Sequence, residues 1–204
     1  MVIELYGLPA SGKTTIVRRL AQEKEGRAVE IQSVREALFL FGTFFLRHPR
    51  AAVFLLRFYG KQRRAAGSIR HFYNTVVYRC AKWEKARREE KGESIFLLDE
   101  GLLQNLLSLP LRILEEREAA RFIKNIPTGN CVITLALPER VRRTRHAART
   151  AQRGKGNFSS PPEEVMKKNF SLSLSVLRNL PHVVVVSSEQ EALQKIMALL
   201  KKRI

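Results

Sequence analysis

Gly7, Gly12, Lys13 and Thr14 occupy the fixed positions of G-x-x-x-x-G-K-[ST] in the stretch GLPASGKTT, and Thr15 follows. Residues of these types at this spacing hold the phosphates of a nucleotide. Glycines at 7 and 12 let successive backbone N–H groups turn inward around phosphate oxygens, with Pro9, Ala10 and Ser11 supplying the rest of the loop. A helix opening behind the loop adds the favourable end of its dipole. Lys13 then meets the β- and γ-phosphates as a point charge, Thr14 offers a hydroxyl to Mg²⁺, and Thr15 reaches the α-phosphate. The flanks agree with this. Residues 2–6 (VIELY) read as a short apolar strand, and Ile16, Val17, Leu20 and Ala21 recur at helical spacing until Gly26.

A second chemical feature is the run SIFLLDE. Ile95, Phe96, Leu97 and Leu98 form a buried-type strand that ends in Asp99, followed by Glu100 and Gly101. A carboxylate at the end of an apolar strand, in a chain with a phosphate loop, suits the Mg²⁺ water shell or the orientation of an acceptor. If both acids are extended they point to opposite sides, so they have different tasks, with Asp99 first in line for metal or acceptor and Glu100 second. A third feature is the basic stretch PERVRRTRHAARTAQRGKG. Arg142, Arg145, Arg149 and Arg153 share one face of a helix, with Arg140 and Arg143 beside them. Stacked like charges need an anion or solvent, and polyphosphate is such an anion. Gly154 and Gly156 supply a hinge, so residues 139–158 read as a lid over phosphates.

The elements that position these groups follow from the rest of the pattern. Residues 27–31 (RAVEI) read as a second strand, placing Glu30, Gln32, Ser33, Arg35 and Glu36 where an acceptor would sit. Residues 34–92 read as a helical insertion, with Pro49 separating two Phe-rich helices and a long basic helix spanning about 68–91. On that last helix Ile69, Phe72, Tyr73, Val76, Val77, Cys80 and Trp83 form an apolar stripe. Its other face, with Arg70, Arg79, Lys82, Lys85, Arg87 and Arg88, is either solvated or a basic wall around an anionic acceptor. Phe44, Phe45, Phe54 and Phe58 read as core or as a lipid-touching surface. Pro110 is expected to open a helix carrying Ile113, Leu114, Ala120, Phe122 and Ile126. A strand follows over 131–137. Ser160 is expected to form a capping box with Glu163, ahead of a helix that Pro181 ends, and a strand over 182–186 precedes a last helix over 189–202 capped by Ser188.

Composition sets limits. The chain has 204 residues, 45% hydrophobic and 27% charged, which fits one α/β domain with a core and argues against a disordered or fibrous chain. Lysine and arginine total 37 against 19 acidic residues, a net charge of +18, which favours polyanionic partners: nucleic acid, an acidic membrane surface or phosphorylated small molecules. Cys80 and Cys131 are far apart and imply no disulfide framework or metal site. The chain opens on a strand without a signal-peptide core, and the apolar run 37–46 is interrupted by Arg47-His48-Pro49-Arg50, so a cytoplasmic protein is expected.

Taken in order, the glycine loop, the Asp-ended strand, the arginine segment and five alternating strand–helix units resemble the nucleoside and nucleotide kinase branch of P-loop proteins, most nearly the thymidylate-kinase-like group. The resemblance implies a three-layer fold with a five-stranded parallel sheet in the order 2-3-1-4-5 and helices on both faces. It also implies transfer of the γ-phosphoryl group of MgATP to an acceptor hydroxyl or phosphate, with Lys13, Asp99, Glu100, Arg143, Arg149 and Arg153 as catalytic residues. Arg145 joins the glycine loop in holding the nucleotide, Thr14 and Asp99 hold Mg²⁺, and Ser187-Ser188-Glu189 correspond to the loop that meets the base. The family usually places Arg after the strand-three carboxylate, whereas this chain has Glu100 and Gly101. That departure argues against an ordinary nucleoside monophosphate acceptor. An ATPase or NTP-dependent switch and a nucleic-acid-directed kinase remain alternatives, and homodimerisation stays open.

Overall fold

The computed structural model describes residues 1–23, 25–63, 68–90, 94–153 and 161–201, the side chains at 63, 146, 147 and 149–153 excepted. Alternate residues of β1 (Val2–Gly7) face opposite sides of a sheet and are all buried, so the strand is central. It pairs in parallel with β3 (Phe96–Leu98) on one side and β4 (Cys131–Leu135) on the other, with Ile3 opposite Leu97 and Cys131. β2 (Arg27–Ala28) and β5 (Val183–Val186) form the edges, giving the order β2-β3-β1-β4-β5 that the resemblance implies. β2 is shorter than the expected 27–31. Its partner β3 has three residues, and after Val29 N–H reaches the Leu97 carbonyl at 3.4 Å the chain leaves the sheet.

Helices cover both faces. Ile3, Leu5, Leu97, Ile133 and Leu135 pack under α1 (Lys13–Gln22) and α10 (Glu189–Lys201). On the other face, Val2, Tyr6, Phe96 and Leu98 join a larger core with α2 (Val34–Arg47), α3 (Pro49–Arg63), α5 (Tyr78–Glu89), α6 (Asn105–Ser108), α7 (Glu116–Asn125) and α9 (Glu163–Leu177). The short α4 (Ile69–Phe72) precedes α5, and α8 (Glu139–Arg153) follows β4. Pro49 opens α3 at the first helical position, where a missing N–H costs nothing. Phe44 and Phe58 are core, and Phe54 is partly buried against it, rather than a lipid-facing group.

The basic helix expected over 68–91 runs continuously over residues 69–89, with its winding loosened in the middle. α4 runs into a π-helical turn at Tyr73–Val77, where the Thr75 hydroxyl donates to the His71 carbonyl at 2.6 Å, before α5 begins. Ile69 falls off the apolar stripe and is 89% exposed. The face read as solvated divides: Arg70, Arg87 and Arg88 are exposed, Lys85 is half-buried, and Arg79 and Lys82 are covered by the loop after β3 and by α6. Arg79, Lys82 and Glu84 are buried and reach across to charged partners. Pro110 opens no helix. Asn169 fixes residues 112–114 by accepting from Leu114 N–H and donating to the Arg112 carbonyl, and α7 starts at Glu116 behind a Glu115–Glu118 capping box. β4 ends at Leu135, and β5 begins at Val183. α9 is capped by Pro162, with no side-chain cap; Ser160 lies outside the described residues. Ser188 caps α10 as expected, its hydroxyl accepting from Glu191 N–H at 3.1 Å.

One core position carries a charge-bearing group. Glu4 lies in the middle of β1, fully buried on the Val2 and Tyr6 face, and accepts from Leu103 N–H at 2.8 Å. A Cβ on Gly101 would lie 2.3 Å from the Glu4 carboxylate, so glycine is needed for the Asp99–Gly101 turn to lie this close. Burial pushes the Glu4 carboxyl up from 4.5 to about 7, against the opposing effect of the Leu103 and Gly129 N–H groups and the Arg79 charge. Between these two values the folded chain holds a proton that the unfolded chain releases. The contribution of Glu4 to stability is therefore fully present below about pH 4.5 and lost as pH rises through about 7. We expect Glu4→Gln to remove that dependence: the Tm of wild type relative to the variant, measured by circular dichroism, should fall between about pH 5 and about pH 8.

Candidate active site

The glycine loop leaves β1 at Gly7 and enters α1 at Lys13. Ala10 (φ 64°) and Gly12 (φ 88°) both take the left-handed conformation, which reverses the chain twice within three residues. Gly7 is required for close approach, since a Cβ there would lie 2.9 Å from the Leu135 carbonyl and from Ser11 Oγ. Lys13 is buried and folds over its own loop, with Nζ donating to the carbonyls of Gly7 at 2.8 Å and Leu8 at 3.1 Å. Ser11 is buried inside the loop, Pro9 is half-buried on it, and Thr14 and Thr15 are exposed at the first turn of α1.

Asp99 stands one residue beyond β3 and joins two elements. Oδ2 accepts from the Thr14 hydroxyl at 3.0 Å, and Oδ1 accepts from Lys82 Nζ at 2.6 Å. Burial alone would raise its carboxyl; the charge and hydrogen bond of Lys82, the Thr14 hydroxyl and the Lys13 charge outweigh it and hold Asp99 below the usual range. Glu100 has a different partner. Its Oε2 lies 3.4 Å from Arg79 Nη2, while Arg79 Nη1 donates to Asn105 Oδ1 at 2.6 Å and Ser108 Oγ at 2.5 Å. Arg79 is 5% exposed and Lys82 6%, so both cations are built into the wall of the site rather than projecting from it. Lys85 continues the row, donating to the Glu30 carbonyl at 2.8 Å and to Glu36 at 2.6 Å.

Arg79, Lys82 and Lys85 are thus the residues whose position the sequence left undecided between solvent and site. Their three-residue spacing puts them on one side of α5, and that side meets the loops after β2 and β3. The sequence signal was the match between three spaced cations and the acids Asp99, Glu100 and Glu36. The geometry also bears on metal binding. The Asp99 carboxylate and Thr14 hydroxyl are two adjacent hard oxygen donors, one exposed, a donor set that suits Mg²⁺ completing its octahedron with waters and phosphate oxygens.

The arginines of α8 divide. Arg142 is buried and pairs with Glu163 at 2.5 Å, and Arg143 is exposed and bonds Glu139 of its own helix at 2.7 Å. Arg145 pairs with Glu189. Arg142, Arg143 and Arg145 are therefore each matched by a carboxylate. The side chains of Arg149 and Arg153, and the glycines at 154 and 156, lie outside the described residues. Glu189, which follows β5 in the segment 187–189, lies against the phosphate loop. A Cβ on Gly12 would fall 1.7 Å from its Oε1, so Arg145 reaches the loop through Glu189.

No protein-family model matches the chain, and no curated protein matches its sequence. Solved structures do match over nearly the whole length. A deoxyadenosine kinase from M. mycoides with the products dCMP and dCDP bound is 15% identical, with 99% of this chain and all of that chain covered and a TM-score of 0.56. The same enzyme with bound dATP has a TM-score of 0.51 at 15% identity, covering 98% of this chain and all of that one. Thymidylate kinase from Candida albicans is 11% identical, covering 98% and 91% with a TM-score of 0.51. With the β2-β3-β1-β4-β5 parallel sheet and the glycine loop after its central strand, the chain has the fold of the P-loop nucleoside and nucleotide kinases.

Proposed function

We propose that the chain is a phosphotransferase moving the γ-phosphoryl group of MgATP to a hydroxyl of a small acceptor seated between the glycine loop, Asp99–Glu100 and α5. The observation that carries this reading is the Asp99 carboxylate held at once by Thr14 of the phosphate loop and Lys82 of the insertion. It links the place where phosphates bind to the place where an acceptor fits. Lys13 exchanges the Gly7 and Leu8 carbonyls for β- and γ-phosphate oxygens. Thr14 and Asp99 would hold Mg²⁺, which would supply charge neutralisation at the phosphates. Lys82 stands beside the transferring group, at the position where a cation opposes charge building up on its equatorial oxygens. Glu100, held from behind by Arg79, accepts the proton of the attacking hydroxyl. The acceptor oxygen forms its bond to the γ-phosphorus as the bond to the β-phosphate oxygen breaks, and ADP leaves with that electron pair.

Charge balance bears on the acceptor. Among the described residues, Arg79, Lys82 and Lys85 are matched one to one by Glu100, Asp99 and Glu36. A wall already neutral favours an uncharged polyhydroxy acceptor over the phosphorylated one that the net charge of the chain suggests.

An ATP-consumption screen over nucleosides, sugars and nucleoside monophosphates should give turnover with a neutral acceptor and little with the monophosphates. ATP hydrolysis that no acceptor accelerates would instead mark an ATPase or switch. Lys13→Ala should lower turnover at least about a hundredfold while the circular dichroism spectrum stays that of wild type. Lys82→Met should lower kcat by about tenfold to a hundredfold with a smaller change in the KM for ATP, as expected of a group acting on the transferring phosphoryl.

A further inference from the structure

The insertion shows a second surface that phosphoryl transfer does not use. Val34, Leu38, Phe39, Phe45 and Leu46 are exposed on α2, Phe39 at 64% and Leu46 at 82%. At about 100° per residue they fall, with Gly42 and Arg35 among them, on one continuous arc about 140° wide. Ala37, Leu40 and Phe44, which are buried, occupy the opposite side of the helix. The exposed arc is therefore the outward face of a helix already fixed by its inward one. Exposed apolar area of this continuity marks a contact surface.

The chemistry around the arc identifies its partner. Residues 34–63 carry Arg35, Arg47, Arg50, Arg57, Lys61 and Arg63 against the single acid Glu36, which Lys85 already neutralises. Arg88 of α5 lies over the Phe39 ring, 5.5 Å from its centroid. At the end of the arc the chain bends by 115° into α3. That corner holds a cavity of about 440 Å³ lined by Arg47, His48, Pro49 and Arg50, with Lys124 from α7 and no carboxylate among its lining residues. Arg47 also pairs with the buried Glu84 and keeps 55% of its side chain exposed. Among the described residues no single helix is long and apolar enough to cross a membrane. An apolar arc rimmed by arginine, ending in a cationic cavity, is the surface that lies on a bilayer, with apolar side chains at the acyl boundary and cations on the lipid phosphates.

We propose that the outer face of α2 and the basic α2–α3 corner dock this protein on the surface of an anionic phospholipid bilayer. A second copy of the chain fits the arc less well, because each copy carries a net charge of +18 and the rim would bring arginines against arginines. The surface stands independently of the proposed reaction.

Flotation of the full chain with phosphatidylcholine vesicles, with and without phosphatidylglycerol, tests the proposal. Wild type should float with the phosphatidylglycerol vesicles, float little with pure phosphatidylcholine, and lose binding as salt rises. Leu38→Glu combined with Leu46→Glu alters two exposed positions and should lower the partition coefficient about tenfold or more, with an unchanged far-ultraviolet spectrum. Arg50→Glu with Lys124→Glu should remove the preference for phosphatidylglycerol. Absence of flotation by wild type, or equal flotation by the Leu38→Glu, Leu46→Glu variant, overturns the proposal. So does a stable wild-type dimer in sedimentation that this same variant converts to monomer, since a second copy would then cover the arc.

Discussion

The Asp99 carboxylate, shared between Thr14 and Lys82, is the constraint on which the rest of the site depends. Lys82 and Arg79 are buried cations, and an unpaired cation in that position would cost several kcal/mol in desolvation. Each is tolerable only because β3 ends where it does and delivers two consecutive acids. The acids in turn sit at the end of a central strand because Gly101 lets the chain turn sharply over Glu4. Strand end, turn and helix are therefore one electrostatic unit. Shifting any of them by a residue would leave a buried charge without its partner.

This unit explains why α5 departs from the usual amphipathic helix. A surface helix solvates its charges on the side away from the core. α5 is enclosed by α2 on one side and by the core on the other, so residues 79–84 are buried on every side of the helix. Its charges are satisfied by carboxylates supplied from elsewhere: Glu100 and Asp99 from the loop after β3, and Glu36 from α2. Glu84 runs the opposite way, an acid on α5 matched by Arg47 of α2. Paired charge in a covered helix adds little net stability, because desolvation offsets much of the attraction. What it does provide is fixed geometry, which the proposed phosphoryl transfer would require.

The legibility of the sequence follows the range of the forces involved. The glycine loop was readable because its conformation and chemistry reside in a few consecutive residues, and Asp99 because an apolar run ending in an acid is a local pattern. The sheet order came only through a resemblance. Arg79 and Lys82 were undecided because whether a helix face meets water depends on what packs across it, here the loop after β3 and α6, and no pattern within α5 reports that. The start of α7 was misplaced for a similar reason. Pro110 is a good first residue for a helix, but Asn169, from a helix far along the chain, holds residues 112–114 out of helical conformation, and the Glu115–Glu118 box defines the start instead. On α8 the repulsion argument considered only an anionic ligand or solvent as an answer to the charge, and for Arg142 and Arg145 the answer is a carboxylate from another helix, Glu163 and Glu189.

α2 connects the two surfaces of the insertion. Its inward side, with Ala37, Leu40 and Phe44, is part of the packing that buries α5, and its outward side is the apolar arc. Two ion pairs, Glu36 with Lys85 and Arg47 with Glu84, tie it to α5 near its two ends. Lys85 belongs to the same row as Arg79 and Lys82, so the placement of α2 and the placement of the cations facing Asp99 and Glu100 are set together. A helix pinned at both ends to α5 is a poor candidate for a freely moving element. It is well suited to present one fixed face outward while the other holds α5 in place.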